Sequence, residues 1–180
     1  MKKIYLLLTR TQSSVSRVVH FVTKDTYTHA SLAFDPKLSK FYSSTRKNGK
    51  TLFPAGPSNE YLGRGFFARY GKTPCVLLEL EVPSSVFDTI YKNASYIVNN
   101  NRHYKFNIIG LFSCRFGKPF YQKNHYFCSQ FVAEMLNSAN AVALPKESGL
   151  IRPADFLTVP EFKKIFEGDI KDLEEFAKMQ

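Results

Sequence analysis

The amino-acid sequence predicts an α+β fold. Two runs are typical of strands, an apolar run at residues 4–8 and an alternating run at 74–82. Two short extended runs around Asp35-Pro36 predict a hairpin, and several later segments carry apolar residues at helical spacing. Because the order is strand, helix, hairpin, strand and then helices, we do not expect a regularly alternating parallel sheet. The length suits one domain spanning residues 1–180.

The first half of the chain alternates clear elements with one long irregular stretch. The apolar run at 4–8 predicts a buried first strand. Ser13 or Ser14 caps a predicted helix with a valine stripe at Val15, Val18, Val19 and Val22. After the hairpin, residues 47–71 are rich in Gly, Pro, Asn and Arg, which predicts a long surface excursion.

The second half is mainly helical. The strand at 74–82 is expected to bury one face, and Pro83-Ser84-Ser85 then opens a helix that runs to about Asn101. Residues 106–112 predict a short buried helix or turn. A further helix contains Cys128 and is expected to be capped by Asn124. Residues 145–160 predict a loop, followed by a charged C-terminal helix containing EEFAK.

Composition and charge narrow the classes of function. The net charge of +10 suits an acidic partner such as an anionic surface, but the basic residues are scattered and no nucleic-acid motif accompanies them. We therefore expect no specific nucleic-acid binding. The three cysteines lack CxxC spacing, which argues against a disulfide framework and a structural zinc site. The run at 4–8 is too short for an export signal, so we expect a cytoplasmic protein without a metal or other cofactor.

Cys128 allows two interpretations. In the first turn of its helix it lies near free backbone N–H groups and the positive end of the helix dipole, which favour a thiolate. The residues that share its helix face form the apolar stripe, namely Phe131, Val132, Met135 and Leu136. The sulfur is therefore expected to face inward, as both a nucleophile against a sheet and a small core residue would.

Of the four histidines, His29 is the best candidate for a base. His20 lies beside the valine stripe, His103 follows a predicted helix, and His125 lies where the Cys128 helix begins, so structural roles suffice for these three. His29 begins a predicted strand, on the face shared with Ser31 and Ala33. This face is small enough for a helix end to approach, which would bring an imidazole to a thiol. A satisfied core histidine remains the alternative.

Three motifs together resemble a known family. They are YTHASLAFD at 27–35, NHYFCSQFVAEML at 124–136 and SGLIRPADF at 148–156. With the histidine strand before the cysteine helix, the chain resembles a circularly permuted papain-like cysteine hydrolase of the NlpC/P60 superfamily. It is most similar to the YiiX/YebB-like proteins and more distantly to lecithin retinol acyltransferase. The resemblance implies an antiparallel sheet packed against helices, with the cysteine at a helix N-terminus.

The resemblance also implies roles for particular residues. Cys128 would attack an amide or ester carbonyl and form a thioester, and His29 would serve as its base. Family members orient the histidine with a polar residue on the neighbouring strand, where this chain offers only hydroxyls. Ser43 is the choice by position, and a one-residue change of register would replace it with Tyr42 or Ser44. Gln122 is a candidate oxyanion donor, with an ordinary polar loop residue as the alternative, whereas Cys75 and Cys114 are expected to be structural.

The substrate and oligomeric state are left open. A peptide, an isopeptide or an acyl lipid would suit the chemistry, with either water or another acceptor taking the acyl group. Four aromatic residues are candidate walls of an acyl pocket or simply core residues, namely Phe66, Phe67, Tyr70 and Phe120. The alternative function is a binding module with little or no activity, in which the basic region 47–72 recognises an acidic or lipid partner. The lack of an acidic or amide third residue favours that alternative.

Overall fold

The structure is a computed structural model that describes residues 1–10, 26–46, 55–68 and 72–179. The predicted helix at residues 13–22 lies outside the described residues, and so do His20 and Tyr70. One part of the predicted surface excursion is described, residues 55–68. The functional candidates Cys128, His29 and Ser43 all fall within the described chain.

Six strands form one sheet in the order β4-β3-β2-β1-β5-β6, and all neighbouring pairs are antiparallel. The strands are β1 (Lys2–Thr9), β2 (His29–Ala33), β3 (Phe41–Arg46), β4 (Ala55–Glu60), β5 (Pro74–Val82) and β6 (Lys163–Asp169). The apolar run of β1 lies inside the sheet, where Leu6 pairs with Leu32 on one side and Leu78 on the other. The predicted first strand, hairpin and alternating strand are confirmed. The expectation that the alternating strand buries only one face is wrong, because Cys75 and Leu77 are buried on one face and Val76 and Leu78 on the other.

Five α-helices complete the described elements. They are α1 (Gly65–Ala68), α2 (Ser84–Asn99), α3 (Ile108–Arg115), α4 (Cys128–Asn137) and α5 (Ile170–Lys178). Short 3-10 helices occur at Ser148–Leu150 and Pro153–Thr158. The helices predicted after Pro83, around Cys128 and at EEFAK are therefore confirmed. The short helix expected at 106–112 begins two residues later, and the expectation that it is buried is wrong, since Ile109 and Phe112 are exposed. Among the described residues, no helix is long and apolar enough to cross a membrane.

Each face of the sheet carries its own apolar core. One face packs against α2 and α4, with Ala30 and Leu32 from β2 in the same cluster as Phe131 and Val132 from α4. The opposite face carries Ala33 and packs against α5 and α1. The result is an α+β architecture in which helices cover an antiparallel sheet, and this layering fixes where the start of α4 meets the sheet.

Two strands were not predicted from the sequence. The segment AGPSNE forms β4 at a sheet edge, although it contains Gly and Pro and almost no apolar side chains. The segment KKIFEGD forms β6 at the other edge, and its side chains are exposed or only partly buried. Edge strands need few apolar residues because they bury little surface, so neither segment carries the pattern on which strand prediction depends.

Candidate active site

Cys128 is the first residue of α4. The N-cap is Phe127, whose extended backbone turns the chain into the helix, and its N–H donates to Gln130 Oε1 at 3.4 Å. The expectation that Asn124 caps this helix is wrong, since Asn124 lies three residues earlier in a left-handed conformation with φ of 59°. The first backbone N–H groups of a helix have no acceptor within it, so Cys128 lies where an anion is stabilised.

A short parallel ladder holds the start of α4 in place. Lys105 pairs with His125, and the Tyr126 N–H donates to the Lys105 carbonyl at 3.1 Å. From the sheet, the Ser44 hydroxyl donates to the Tyr126 carbonyl at 2.6 Å. These bonds fix the two residues before the N-cap to both a neighbouring segment and β3. The position of Cys128 is thereby set by backbone hydrogen bonds rather than by packing alone.

His29 connects Cys128 to a carboxylate. The Cys128 side chain is a hydrogen-bond partner of the His29 ring, and its sulfur lies 4.0 Å from the Thr28 carbonyl oxygen. On the other side, His29 Nε2 lies 3.0 Å from both carboxylate oxygens of Glu60. Because Glu60 faces Nε2, Nδ1 is the ring nitrogen left for the thiol. All three side chains are buried.

The charge on His29 is controlled by this arrangement. Burial by itself lowers the pKa of the ring, but attraction to Glu60 and hydrogen bonds to Cys128 and Glu60 outweigh it and raise the pKa from 6.5 to about 10. His29 therefore carries a proton at neutral pH. A positive imidazolium beside a sulfur supplies the charge that a thiolate needs in a buried position.

The route by which α4 reaches His29 differs from the expected one. We expected the helix to approach the face of β2 that carries His29, Ser31 and Ala33. Instead its apolar side chains pack on the opposite face, against Ala30 and Leu32. His29 is the first residue of β2 and the thiol lies beside the preceding carbonyl, so the two side chains meet at the end of the strand.

Sequence reasoning missed Glu60, the last residue of β4. The third residue was expected on β3, which pairs directly with β2. The carboxylate instead comes from β4, the strand on the far side of β3. The neighbouring strand β3 does offer only hydroxyls, but a third residue need not come from that strand. A signal was present in the sequence, since Glu60 is the sole acidic residue between Asp35 and Glu79.

The three hydroxyl candidates on β3 take different positions. Ser43 Oγ lies 3.4 Å from His29 Nε2, and its hydroxyl donates to the Ala30 carbonyl at 2.8 Å. Ser44 supports the start of α4, as described above. The ring of Tyr42 packs edge-on against Phe34, with centroids 5.3 Å apart. Ser43 is thus the hydroxyl beside the ring, although Glu60 is closer and carries the charge.

The remaining polar candidates lie apart from this contact chain. Gln122 is exposed, and its backbone carbonyl accepts from the His125 N–H at 3.0 Å. His125 places Nδ1 at 2.7 Å from the Lys123 carbonyl oxygen, which fits a structural role at this turn. His103 is exposed after α2. The role of Gln122 as an oxyanion donor stays a prediction.

The other two cysteines and the aromatic candidates are more simply placed. Cys75 is buried within the sheet, and burial, followed by the charges of Asp169 and Asp172, raises the pKa of its thiol to about 12. Cys114 is buried on α3. Phe67 is also buried and its ring contacts Phe41, so it belongs to the core. Phe120 is partly exposed, and the side chain of Phe66 lies outside the described residues.

Within the described ranges, no group of three or more His, Cys, Asp or Glu side chains is arranged to hold a metal ion. No protein-family model matches the chain, and a search of curated proteins finds no significant match.

Proposed function

We propose that this protein is a cysteine hydrolase or acyltransferase acting on an amide or ester bond. The observation that carries the proposal is the buried chain of contacts from Cys128 through His29 to Glu60. A nucleophile, a base and a group that orients the base are the parts that acyl transfer through a thioester requires. The order along the chain, with the histidine strand before the cysteine helix, supports a permuted papain-like fold similar to the NlpC/P60 superfamily.

In the proposed reaction, the Cys128 sulfur bonds to the substrate carbonyl carbon and the carbonyl oxygen takes up negative charge. The Cys128 backbone N–H at the start of α4 is a suitable donor to that oxygen. His29 then gives its proton to the departing amine or alcohol as the carbon–leaving-group bond breaks, leaving a thioester. Next, His29 takes a proton from water or another acceptor, which attacks the thioester and releases the thiolate.

Glu60 has a positioning role in this scheme. Its two oxygens face Nε2, which leaves Nδ1 directed to the sulfur and stabilises the imidazolium. The alternative function, a binding module on the same scaffold, was favoured by the lack of an acidic third residue. Because the Glu60 carboxylate lies beside His29, the lack of an acidic third residue no longer favours the binding module.

The proposal is tested by replacing the nucleophile and measuring both labelling and turnover. Cys128→Ala should abolish iodoacetamide labelling at position 128 and lower hydrolysis of a p-nitrophenyl ester to the uncatalysed rate. His29→Gln should lower turnover about 10²- to 10⁴-fold, which is the usual contribution of general acid–base catalysis. Gln is preferred to Ala at position 29 because it can still hydrogen-bond to the buried Glu60 carboxylate.

Cys75→Ala is the matched control. Cys75 is also a buried thiol, but its pKa is raised by burial and by Asp169 and Asp172 rather than influenced by a histidine. It should leave ester hydrolysis within about twofold of the unmodified protein, in line with a thiol whose raised pKa keeps it unreactive. Hydrolysis by Cys128→Ala at the original rate would refute the proposal.

A further inference from the structure

The helix α3 has an apolar face on each side. Its packed face carries Gly110 and Cys114, which are buried, together with Asn107 just before the helix. The opposite face carries Ile109, Phe112 and Phe116, at spacings of three and four residues. These side chains are 58%, 55% and 77% exposed. Large apolar side chains grouped on one exposed helix face are typical of an interaction surface.

Basic residues occur along the chain before and after this exposed face. The chain from 89 to 133 contains no acidic residue and has six basic ones, at Lys92, Arg102, Lys105, Arg115, Lys118 and Lys123. Lys105 and Lys123 belong to the segments that form the ladder before α4, whereas Arg115 and Lys118 lie at the C-terminal end of α3. Positive charge is therefore present at both ends of the apolar face.

Local hydrogen bonds fold the basic end back onto the helix. Gly117, with φ of 66°, lets its N–H donate to the Cys114 carbonyl, and the Lys118 N–H donates to the Ser113 carbonyl at 3.1 Å. The Ser113 hydroxyl returns a bond to the Lys118 carbonyl at 2.6 Å. These bonds hold the backbone of Lys118 next to the C-terminal end of α3.

We propose that this surface, made of Ile109, Phe112 and Phe116 with the basic residues around it, binds an anionic lipid bilayer. Phenylalanine and isoleucine side chains on one helix face can enter the boundary between headgroups and acyl chains, while lysine and arginine pair with anionic headgroups. A nucleic acid would use the charge but not the three aliphatic and aromatic side chains, and a protein partner would not require the excess of basic residues along this segment.

The surface is attached to the start of the Cys128 helix. Asn107, at the N-cap of α3, donates through Nδ2 to Gln130 Oε1 at 3.1 Å, two residues after Cys128. The helix that carries the surface is therefore hydrogen-bonded to the first turn of α4. The inference goes beyond the proposed function and does not depend on it, because none of the surface residues belongs to the contact chain of Cys128.

The test is co-sedimentation of the full chain with vesicles of phosphatidylcholine containing about one third phosphatidylserine. The unmodified protein should bind these vesicles, and should bind pure phosphatidylcholine vesicles at least tenfold more weakly. The double variant Phe112→Ser/Phe116→Ser should weaken binding at least tenfold, because each lost side chain removes apolar surface from the interface. Lys118→Glu should weaken it on the order of tenfold, with a smaller effect at high salt.

Two control variants test whether the loss of vesicle binding is specific to this surface. Leu157→Ser removes an exposed apolar side chain elsewhere, and Lys37→Glu makes the same charge change on another surface. Both should bind within about twofold of the unmodified protein, and so should Cys128→Ala. Absence of binding to the anionic vesicles, or equal binding by the Phe112→Ser/Phe116→Ser variant, would overturn the inference. Thermal melts that match the unmodified protein would show that the variants are folded.

Discussion

At the scale of single residues, the buried pair of His29 and Glu60 couples the site to pH. An isolated buried carboxylate is costly, and so is an isolated buried imidazolium, but each offsets the charge of the other. The pair leaves His29 protonated until the pH approaches about 10. The resting charge of this ring is therefore constant over the physiological range.

This coupling predicts how stability depends on pH. The folded pKa of His29 is raised from 6.5 to about 10, so its stabilising contribution is complete below about 6.5 and is lost as the pH rises to about 10. Glu60→Gln removes the attraction and should cost about 3–5 kcal/mol near pH 6. The cost should shrink steadily between pH 6 and pH 10, as measured by urea unfolding of both proteins.

Ser129→Ala is the control for this prediction. The buried Ser129 hydroxyl donates to the Ile151 carbonyl at 2.7 Å and carries no charge, so its removal should cost about 1 kcal/mol at every pH. If the difference between Glu60→Gln and the unmodified protein stayed constant from pH 6 to pH 10, the charge-pair interpretation would be wrong.

At the scale of elements, Asn107 joins α3 to α4. It is completely buried, and its side chain accepts from the Gly110 N–H at 2.8 Å while donating to the Phe120 carbonyl and Gln130 Oε1. Gly110 is the residue that makes room for it. A Cβ at position 110 would lie 2.3 Å from Asn107 Nδ2, far inside van der Waals contact.

Gly110→Ala should therefore destabilise the protein, although alanine is the better helix former by about 1 kcal/mol. Moving Asn107 breaks hydrogen bonds of a buried amide, for which we expect a loss of about 2–3 kcal/mol in the free energy of unfolding. The same change should be nearly neutral or stabilising in an Asn107→Ala background, because the obstructing side chain is gone. Additive effects in this double-mutant cycle would contradict the steric explanation.

At the scale of the whole molecule, the sheet is the platform on which both cores and the site are built. Leu6 lies within it, fully buried between Leu32 and Leu78. Leu6→Ala should lower the free energy of unfolding by about 2–5 kcal/mol through lost burial and a residual cavity. Leu157→Ala, at an exposed position, should change it by less than about 0.5 kcal/mol. Chemical denaturation of the two variants measures the difference, and similar losses would place the main core elsewhere.

Much of this architecture could be predicted from local patterns. The strand β1 is buried on both faces and appears in the sequence as a continuous apolar run. In β5 and in the helices α2, α4 and α5 the apolar residues recur with a period of two or of about three and a half, and turn residues mark the hairpin. The edge strands β4 and β6 bury too little to show such a period. The predicted N-cap of α4 was wrong because the helix begins after Phe127. The backbone of Phe127 is extended, and this residue has no side-chain oxygen that would mark a cap in the sequence.

The sequence by itself determined the two central members of the site, since a cysteine at a helix start and a histidine at a strand start are both local features. Only the tertiary structure decided the third member and the geometry of approach. Glu60 reaches His29 from two strands away, and α4 packs on the face of β2 that carries Ala30 and Leu32. The order of the strands and the packing of α4 on β2 depend on contacts between segments that are far apart in the chain. The local pattern of apolar residues does not specify those contacts.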